Sequence, residues 1–405
     1  MTRTCARAVG TRVYAVSNDP TATRARDVSS HHPRHLRART WLAPALGLGL
    51  CAMGCSGEGP AAEAVNVTAT SAAPQAEADD GLRYISLSRP LMGTIFRINV
   101  VSTQEIAEPA IRAAFAEIAR LEDALSEWRE DSEISRINRE AGRAPVTVGP
   151  DVLAVVKAGL DVSRWSEGAF DLSWAALRGM YSFPPHEERV PSARDLRRQL
   201  PLVRYQDIIV DEAASTVFLR RAGMAIGTGG IGKGYALDRA GEVLREAGIN
   251  DYMIFGGGQV QVHGQRGSRD WRVGIQHPRQ QGQNSYFAAL EATDVSISTS
   301  GDYEHAFFRD GRRYHHIIDL QTGLPVDKSM SVTLLAPAGL YADALSTAVF
   351  AMGAERALEM LRTIDYRAEA VIVDGNCRVH TTPGTDARLR LNVELRDGLL
   401  PDCTP

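Results

Sequence analysis

The sequence predicts an α+β fold, with mixed or antiparallel sheets flanked by helices. Two observations lead there. Apolar residues switch between period 2 and period 3.6 along the chain, so strands and helices are both present. Several strand patterns follow one another through short turns, Asp374-Gly375-Asn376 among them, and such hairpins are foreign to a doubly wound parallel sheet. At 405 residues the chain can hold one large domain or two ordinary ones, and no internal repeat divides it.

Taken in order, the first strand of the folded body lies in TIFRINV, Thr94 to Val100, where apolar and polar residues alternate. Ile111, Phe115, Ile118, Leu121 and Leu125 then recur at helical spacing, with Pro109 near the first turn, where a missing N–H is tolerated. A second helix runs from about Asp151 to Trp165 and stops at Gly168. Residues 181–206, rich in Pro, Arg and Glu, read as a surface insertion. Strands at 208–210 and 216–220 lead into GTGGIGKGYALD, residues 227–238, whose tail continues as a helix. Further strands are expected at 252–255, 271–276, 295–299, 314–318 and 331–335. YADALSTAVFAMGAERALEML, residues 341–361, follows as one small-residue helix, and 371–373 and 378–381 flank the Asp374-Gly375-Asn376 turn.

The amino-terminal region is of another kind. The first forty residues carry a charge of +6, which leaves −10 for the rest of a chain whose net charge is −4. An acidic body excludes sequence-independent nucleic-acid binding, which needs a basic face. The uncharged run WLAPALGLGLCAMGC, Trp41 to Cys55, is too short to span a bilayer, which takes about 20 apolar residues. Basic residues, a short apolar run and then small residues describe an export signal; a plain signal or a buried helix are the blander alternatives. Gly54 directly before Cys55 adds the pattern of bacterial lipoprotein signals, so Cys55 is expected to be the lipidated first residue of the mature protein. Cys51 is the poorer candidate because bulky Leu50 precedes it. The chain then divides into a signal (1–55), a flexible tether of small polar residues (56–82), a folded domain (83–395) and a carboxy-terminal tail (396–405). Only Cys377 and Cys403 remain in the body. An oxidising compartment would let them pair, but nothing in their spacing shows that they meet.

GTGGIGK satisfies the phosphate-loop template through Gly227, Gly232 and Lys233, yet Gly234 stands where that template needs a metal-binding hydroxyl. The strand in YMIF also ends in Gly256, Gly257 and Gly258 rather than in a metal-binding Asp. A nucleotide-hydrolysing P-loop is excluded on both counts. Glycines ahead of a helix still present N–H groups to an anion. Lys233 stands out because the other basic residues, apart from Lys157 and Lys328, are all Arg. Asp343 and Thr347 are four apart and share a helix face, a hard-oxygen pair suited to Mg²⁺, although Asp343 could equally cap the helix and Thr347 simply pack. In YHHIIDLQTGLP, His315 and His316 point to opposite faces of a strand, so at most one of them serves a given pocket.

Together and in order, MGTIF, SEWREDSEISRIN, GAFDLS, GGIGKGYALD, GGGQVQVHG, STSGDYEHAF, YHHIIDLQTGLP and APAGLYADALSTAVFAMG resemble the ApbE family of FAD:protein FMN transferases, over about residues 90–353. The resemblance implies an ApbE-like fold for the domain and an enzyme that binds FAD and Mg²⁺. FMN would pass to a Thr or Ser hydroxyl of an acceptor flavoprotein in a membrane or exported electron-transfer system, releasing AMP. Carried over by motif, Met92, Trp128, Ala169, Phe170, Asp171, Lys233 and Ile317 would contact FAD. The Gly230 carbonyl, Asp343 and Thr347 would hold the metal with Ser346 close by, and His316 would be the catalytic base. With the lipid anchor, the implied location is the bacterial cell envelope, on the periplasmic side of the inner membrane. Two positions depart from the family pattern: Gly227 replaces its usual Asp, and FGGG lacks its Asn. FAD hydrolysis to FMN and AMP, or non-catalytic FAD binding by a lipid-anchored protein, are the competing expectations.

Overall fold

The computed structural model describes residues 81–404 apart from 185, 281, 283 and 284; the signal segment, Cys55 and most of the tether lie outside the described residues. The central sheet runs, edge to edge, Arg83–Leu91, Thr94–Ser102, Tyr252–Gly256, Gln259–His263, Val295–Gly301, Ser329–Ala336, Glu369–Asp374 and Val379–Thr381. Every neighbouring pair is antiparallel, so the sheet is antiparallel throughout rather than mixed.

Alternation along these strands decides what each face carries. Tyr252 and Ile254 enter one core while Met253 enters another; Ala370 and Ile372 divide from Val371 and Val373 in the same way. The first core is closed by the helices Gln104–Leu125, Pro150–Trp165, Gly232–Glu246 and Gly339–Met352. Helix Gln104–Leu125 buries Ile111, Phe115, Ile118 and Leu121, each contributing about 1.5–3 kcal/mol. The second core lies under a three-stranded sheet ordered Leu389–Leu391, Tyr286–Ala292, Trp271–Gln276. Among the described residues no helix is long and apolar enough to cross a membrane.

The expected elements are present, with instructive differences. Arg83–Leu91 precedes the first expected strand; it is an edge strand with almost every residue exposed, so it shows no apolar alternation. Gln259–His263 and Tyr286–Ala292 were likewise unforeseen, the former because it points glutamines inward. The expected single helix over 341–361 is two, Gly339–Met352 and Ala354–Thr363, broken at Gly353 with φ +79°. Helix Gln104–Leu125 begins well before Ile111, which places Pro109 inside it. Strand Arg312–His315 ends before His316, and the surface insertion contains the helix Ala193–Gln199. The carboxy-terminal residues are not a loose tail. Leu400 is buried in the second core, Cys403 is disulfide-bonded to Cys377, and His277 Nε2 donates to the Pro401 carbonyl at 2.8 Å.

Candidate active site

The glycine-rich loop leads into helix Gly232–Glu246 and is held from below. The Thr228 hydroxyl donates to the Leu125 carbonyl at 2.7 Å and the Thr228 N–H to Glu127 Oε2 at 2.7 Å. Lys233 folds back so that Nζ donates to the Gly229 carbonyl at 2.9 Å. Helix Gly232–Glu246 crosses Gly339–Met352 at two glycines: a Cβ on Gly234 would sit 1.9 Å from the Gly339 carbonyl oxygen and 2.7 Å from Asp343 Cβ. Gly234 is therefore a packing requirement, and a hydroxyl-bearing side chain has no room there.

That crossing brings Asp343 to the start of the neighbouring helix. The Gly234 N–H donates to Asp343 Oδ2 at 2.9 Å and Gln259 Nε2 to Asp343 Oδ1 at 3.0 Å. Asp343 is not a cap. Asp238 caps its helix instead, accepting from the Gly339 and Leu340 N–H groups at 2.7 and 2.8 Å and from Gln261 Nε2 at 2.8 Å. Burial raises the Asp343 pKa, opposed by the Lys233 charge and by the Gly234 and Lys233 N–H groups. A cation at this carboxylate would offset the burial.

Half-buried Thr347 lies one turn beyond Asp343, and a Cβ on Gly230 would fall 3.4 Å from both Thr347 Oγ1 and Phe170 Cε2. The Gly230 segment, Asp343 and Thr347 thus converge from the loop and the helix. They offer a carbonyl, a carboxylate and a hydroxyl, all hard oxygens that suit Mg²⁺. No group of three or more His, Cys, Asp or Glu able to hold a metal occurs among the described residues. Ser346 has a different task from the expected one. It donates to the Asp343 carbonyl at 2.8 Å, and Ser298 Oγ and Ser300 Oγ each lie 2.8 Å from its hydroxyl, which ties helix to sheet and leaves no lone pair for a metal.

The two histidines separate, one buried and one exposed, although the strand ends between them. His315 is buried with both nitrogens engaged, Nε2 donating to the Val326 carbonyl at 2.7 Å and Nδ1 accepting from the Ile317 N–H at 3.3 Å. His316 is exposed. Its Nδ1 lies 3.1 Å from the Glu304 carbonyl, which can only accept, so the proton resides on Nδ1 and Nε2 keeps a free lone pair. Crowding by protein atoms, then the charges of His305 and His315, hold its pKa below that of an ordinary histidine, and Lys233 adds to this. Solvent reaches the ring and moderates the fall. The ring is neutral at pH 7 and fit to accept a proton.

The remaining expected contacts differ in what they offer. Met92 sits at φ +48° in the two-residue turn joining Arg83–Leu91 to Thr94–Ser102, a strained position for a side chain of its kind. Trp128 is 72 % exposed, with the Arg178 guanidinium 5.1 Å from its ring, and so presents a free aromatic face. Ala169 is half-buried, while Phe170 and Ile317 are buried; of these, Phe170 lies against the Gly230 segment. The Asp171 side chain is committed elsewhere. Oδ1 accepts from the Ser173 N–H and hydroxyl, which caps the turn Leu172–Leu177, and Oδ2 accepts from the Tyr205 N–H. Glu127, Asp238 and Gln259 escaped sequence reasoning. All three lay within quoted motifs, but nothing local marks an inward-facing Gln as a partner of Asp343 or a buried Glu as a support of the loop.

A family model described as the ApbE family matches residues 92–372. The chain is similar to an FAD:protein FMN transferase of Klebsiella pneumoniae (strain 342), with 34% identity over 281 residues, 69% of this chain and 86% of that protein. It is also similar to one from Treponema pallidum (strain Nichols), 31% identical over 76% of this chain and 90% of the relative. Among solved structures, the ApbE protein of Thermotoga maritima superposes with a TM-score of 0.69 at 30% identity, covering 76% of this chain and 99% of that one. The flavin transferase ApbE of Vibrio cholerae gives 0.67 at 26% identity, again over 76% and 99%.

Proposed function

The chain belongs to the ApbE family and is a flavin transferase that draws on FAD, and from that premise we propose that it moves FMN onto a Thr or Ser hydroxyl of an acceptor flavoprotein, with Mg²⁺ bound. The acceptor hydroxyl oxygen attacks the FMN phosphorus of FAD, a phosphoester bond forms, the diphosphate P–O bond breaks, and AMP leaves. His316 Nε2 takes the hydroxyl proton, and the Glu304 carbonyl holds the opposite nitrogen and so the ring. Lys233, at the start of helix Gly232–Glu246, offsets the diphosphate charge. Asp343, Thr347 and the Gly230 carbonyl would hold the metal, which supplies Lewis-acid neutralisation of that charge. Phe170 beside the Gly230 segment and exposed Trp128 would meet the flavin and stack on a ring.

The observation that carries this reading is convergence. The Gly234 N–H, next to Lys233, donates to Asp343 Oδ2, and a Cβ on Gly230 would fall 3.4 Å from Thr347 Oγ1, which supports a cation and a metal-binding carboxylate in one site. The acceptor is proposed to be part of a membrane or exported electron-transfer system, met by an enzyme anchored through Cys55 on the periplasmic side of the inner membrane. The Cys377–Cys403 disulfide supports that location, since such bonds persist in oxidising compartments.

The test incubates the protein with FAD, Mg²⁺ and a candidate acceptor domain, then looks for flavin fluorescence on the denatured acceptor. Covalent flavin is the expected result. FMN and AMP without labelling would mean hydrolysis, and intact FAD would mean a binding protein. Asp343→Asn, which keeps the shape but not the charge, should abolish transfer, and unchanged labelling would exclude Asp343 as a metal ligand.

A further inference from the structure

Glu127 has no part in the mechanism above, yet its carboxylate is buried, with the residue only 6 % exposed, directly beneath the glycine-rich loop. Oε2 accepts from the Thr228 N–H at 2.7 Å, and the Gly229 N–H also hydrogen-bonds to the carboxylate. Arg178 and Lys233 supply the positive charges that face it. Arg178 also donates to the Glu127 main-chain carbonyl, so the segment carrying Glu127 is fixed at both ends of the residue.

The position of this carboxylate relative to Gly227 is specific. A Cβ on Gly227 would fall 2.4 Å from Glu127 Oε2 and 3.0 Å from two ring atoms of Trp174. The volume that a side chain at 227 would enter is thus filled by a carboxylate delivered from a different segment. A negative charge there costs desolvation energy; burial raises the Glu127 pKa, and Arg178, the two loop amides and Lys233 oppose that rise.

Building on the flavin-transfer reading, we propose that Glu127 is a positioning residue: from beneath the loop it fixes Thr228 and Gly229 so that the Gly230 carbonyl and Lys233 are presented to FAD, and Gly227 is glycine because Glu127 occupies its side-chain space. Glu127 touches no reacting atom. It acts through the loop, and through Lys233, whose ammonium is held on the Gly229 carbonyl at 2.9 Å.

The test is a relocation of the carboxylate. Glu127→Gln, Glu127→Ala, Gly227→Asp and the double variant Glu127→Ala/Gly227→Asp are prepared in the full-length protein. FAD affinity is measured by quenching of flavin fluorescence, and folding by the melting temperature. Glu127→Gln keeps the volume but removes the charge and one of the two acceptor oxygens, so FAD affinity should fall about tenfold or more with little change in melting temperature. Gly227→Asp alone should be worse in both measurements, because two carboxylates contend for one space. The double variant should return to within about threefold of wild-type affinity. Wild-type affinity in Glu127→Gln, or a double variant no better than the poorer single, would overturn the proposal. Wild-type protein that fails to bind FAD would defeat the flavin-transfer reading instead. Recovery of melting temperature in the double variant would then still decide whether the carboxylate holds the loop.

Discussion

Gly234→Ser completes the phosphate-loop template, and the structure predicts that it breaks the protein. The new Cβ would lie 1.9 Å from the Gly339 carbonyl oxygen and 2.7 Å from Asp343 Cβ, and the first of these is backbone that cannot rotate aside. The two helices must move apart by more than an ångström. Overpacking of this kind costs about 1–3 kcal/mol. Separation also breaks the bond from the Gly234 N–H to Asp343 Oδ2, a charge-assisted contact worth about 1.5–3 kcal/mol. The sum, about 3–6 kcal/mol, is a large share of the 5–15 kcal/mol typical of a folded domain. Thermal unfolding should show a fall of about 10 °C, and FAD binding should be lost with it because Asp343 and Lys233 move. A Gly234→Ser protein that melts within about 2 °C of wild type would refute the packing argument. New nucleotide hydrolysis would refute the rejection of the P-loop.

Three further predictions concern other parts of the molecule. His316→Asn should lower transfer by about 100-fold or more without weakening FAD binding; because the folded pKa lies below the ordinary histidine value, the wild-type rate should be flat through neutral pH and fall only on the acid side, as a pH–rate profile would show. Burial raises the Asp238 pKa to about 6, above its unfolded value, so its contribution to stability is complete below about pH 4 and is lost as pH rises through 6, about 3 kcal/mol in all; urea unfolding against pH should show this slope in wild type and not in Asp238→Asn. Reducing the Cys377–Cys403 disulfide, which spans 26 residues, should cost about 3.5 kcal/mol by chain entropy and lower the melting temperature, yet leave FAD affinity unchanged, because Cys377 packs in the second core, across the sheet from Asp343.

Much of the fold was legible because it rests on local patterns. Alternation marked Thr94–Ser102, and helical spacing marked Gln104–Leu125, since each buries one regular face. Arg83–Leu91 buries too little to leave a pattern, and the break at Gly353 lies within a run of small apolar residues that reads as continuous helix. Motif resemblance brought His316, Lys233, Asp343 and Thr347 into consideration; Lys233 lies beside the Gly234 N–H that bonds Asp343, and Thr347 lies one turn beyond Asp343. It could not separate roles within a motif. Asp171 and Ser346 share segments with site residues, but hydrogen bonds to Ser173, Tyr205, Ser298 and Ser300 commit their side chains to holding the scaffold.

Gly227 shows most sharply where reading along the chain fails. Compared position by position with the family pattern, it is a missing carboxylate, and that suggests a weakened site. In space nothing is missing. The Glu127 carboxylate stands 2.4 Å from where a Gly227 Cβ would be, bonded to the next residue of the loop. Two such carboxylates could not share that volume, because like charges in a buried space repel and neither retains enough donors. Glycine at 227 and a buried acid at 127 are therefore one feature seen at two positions. Substituting either alone should be harmful, and exchanging both should not.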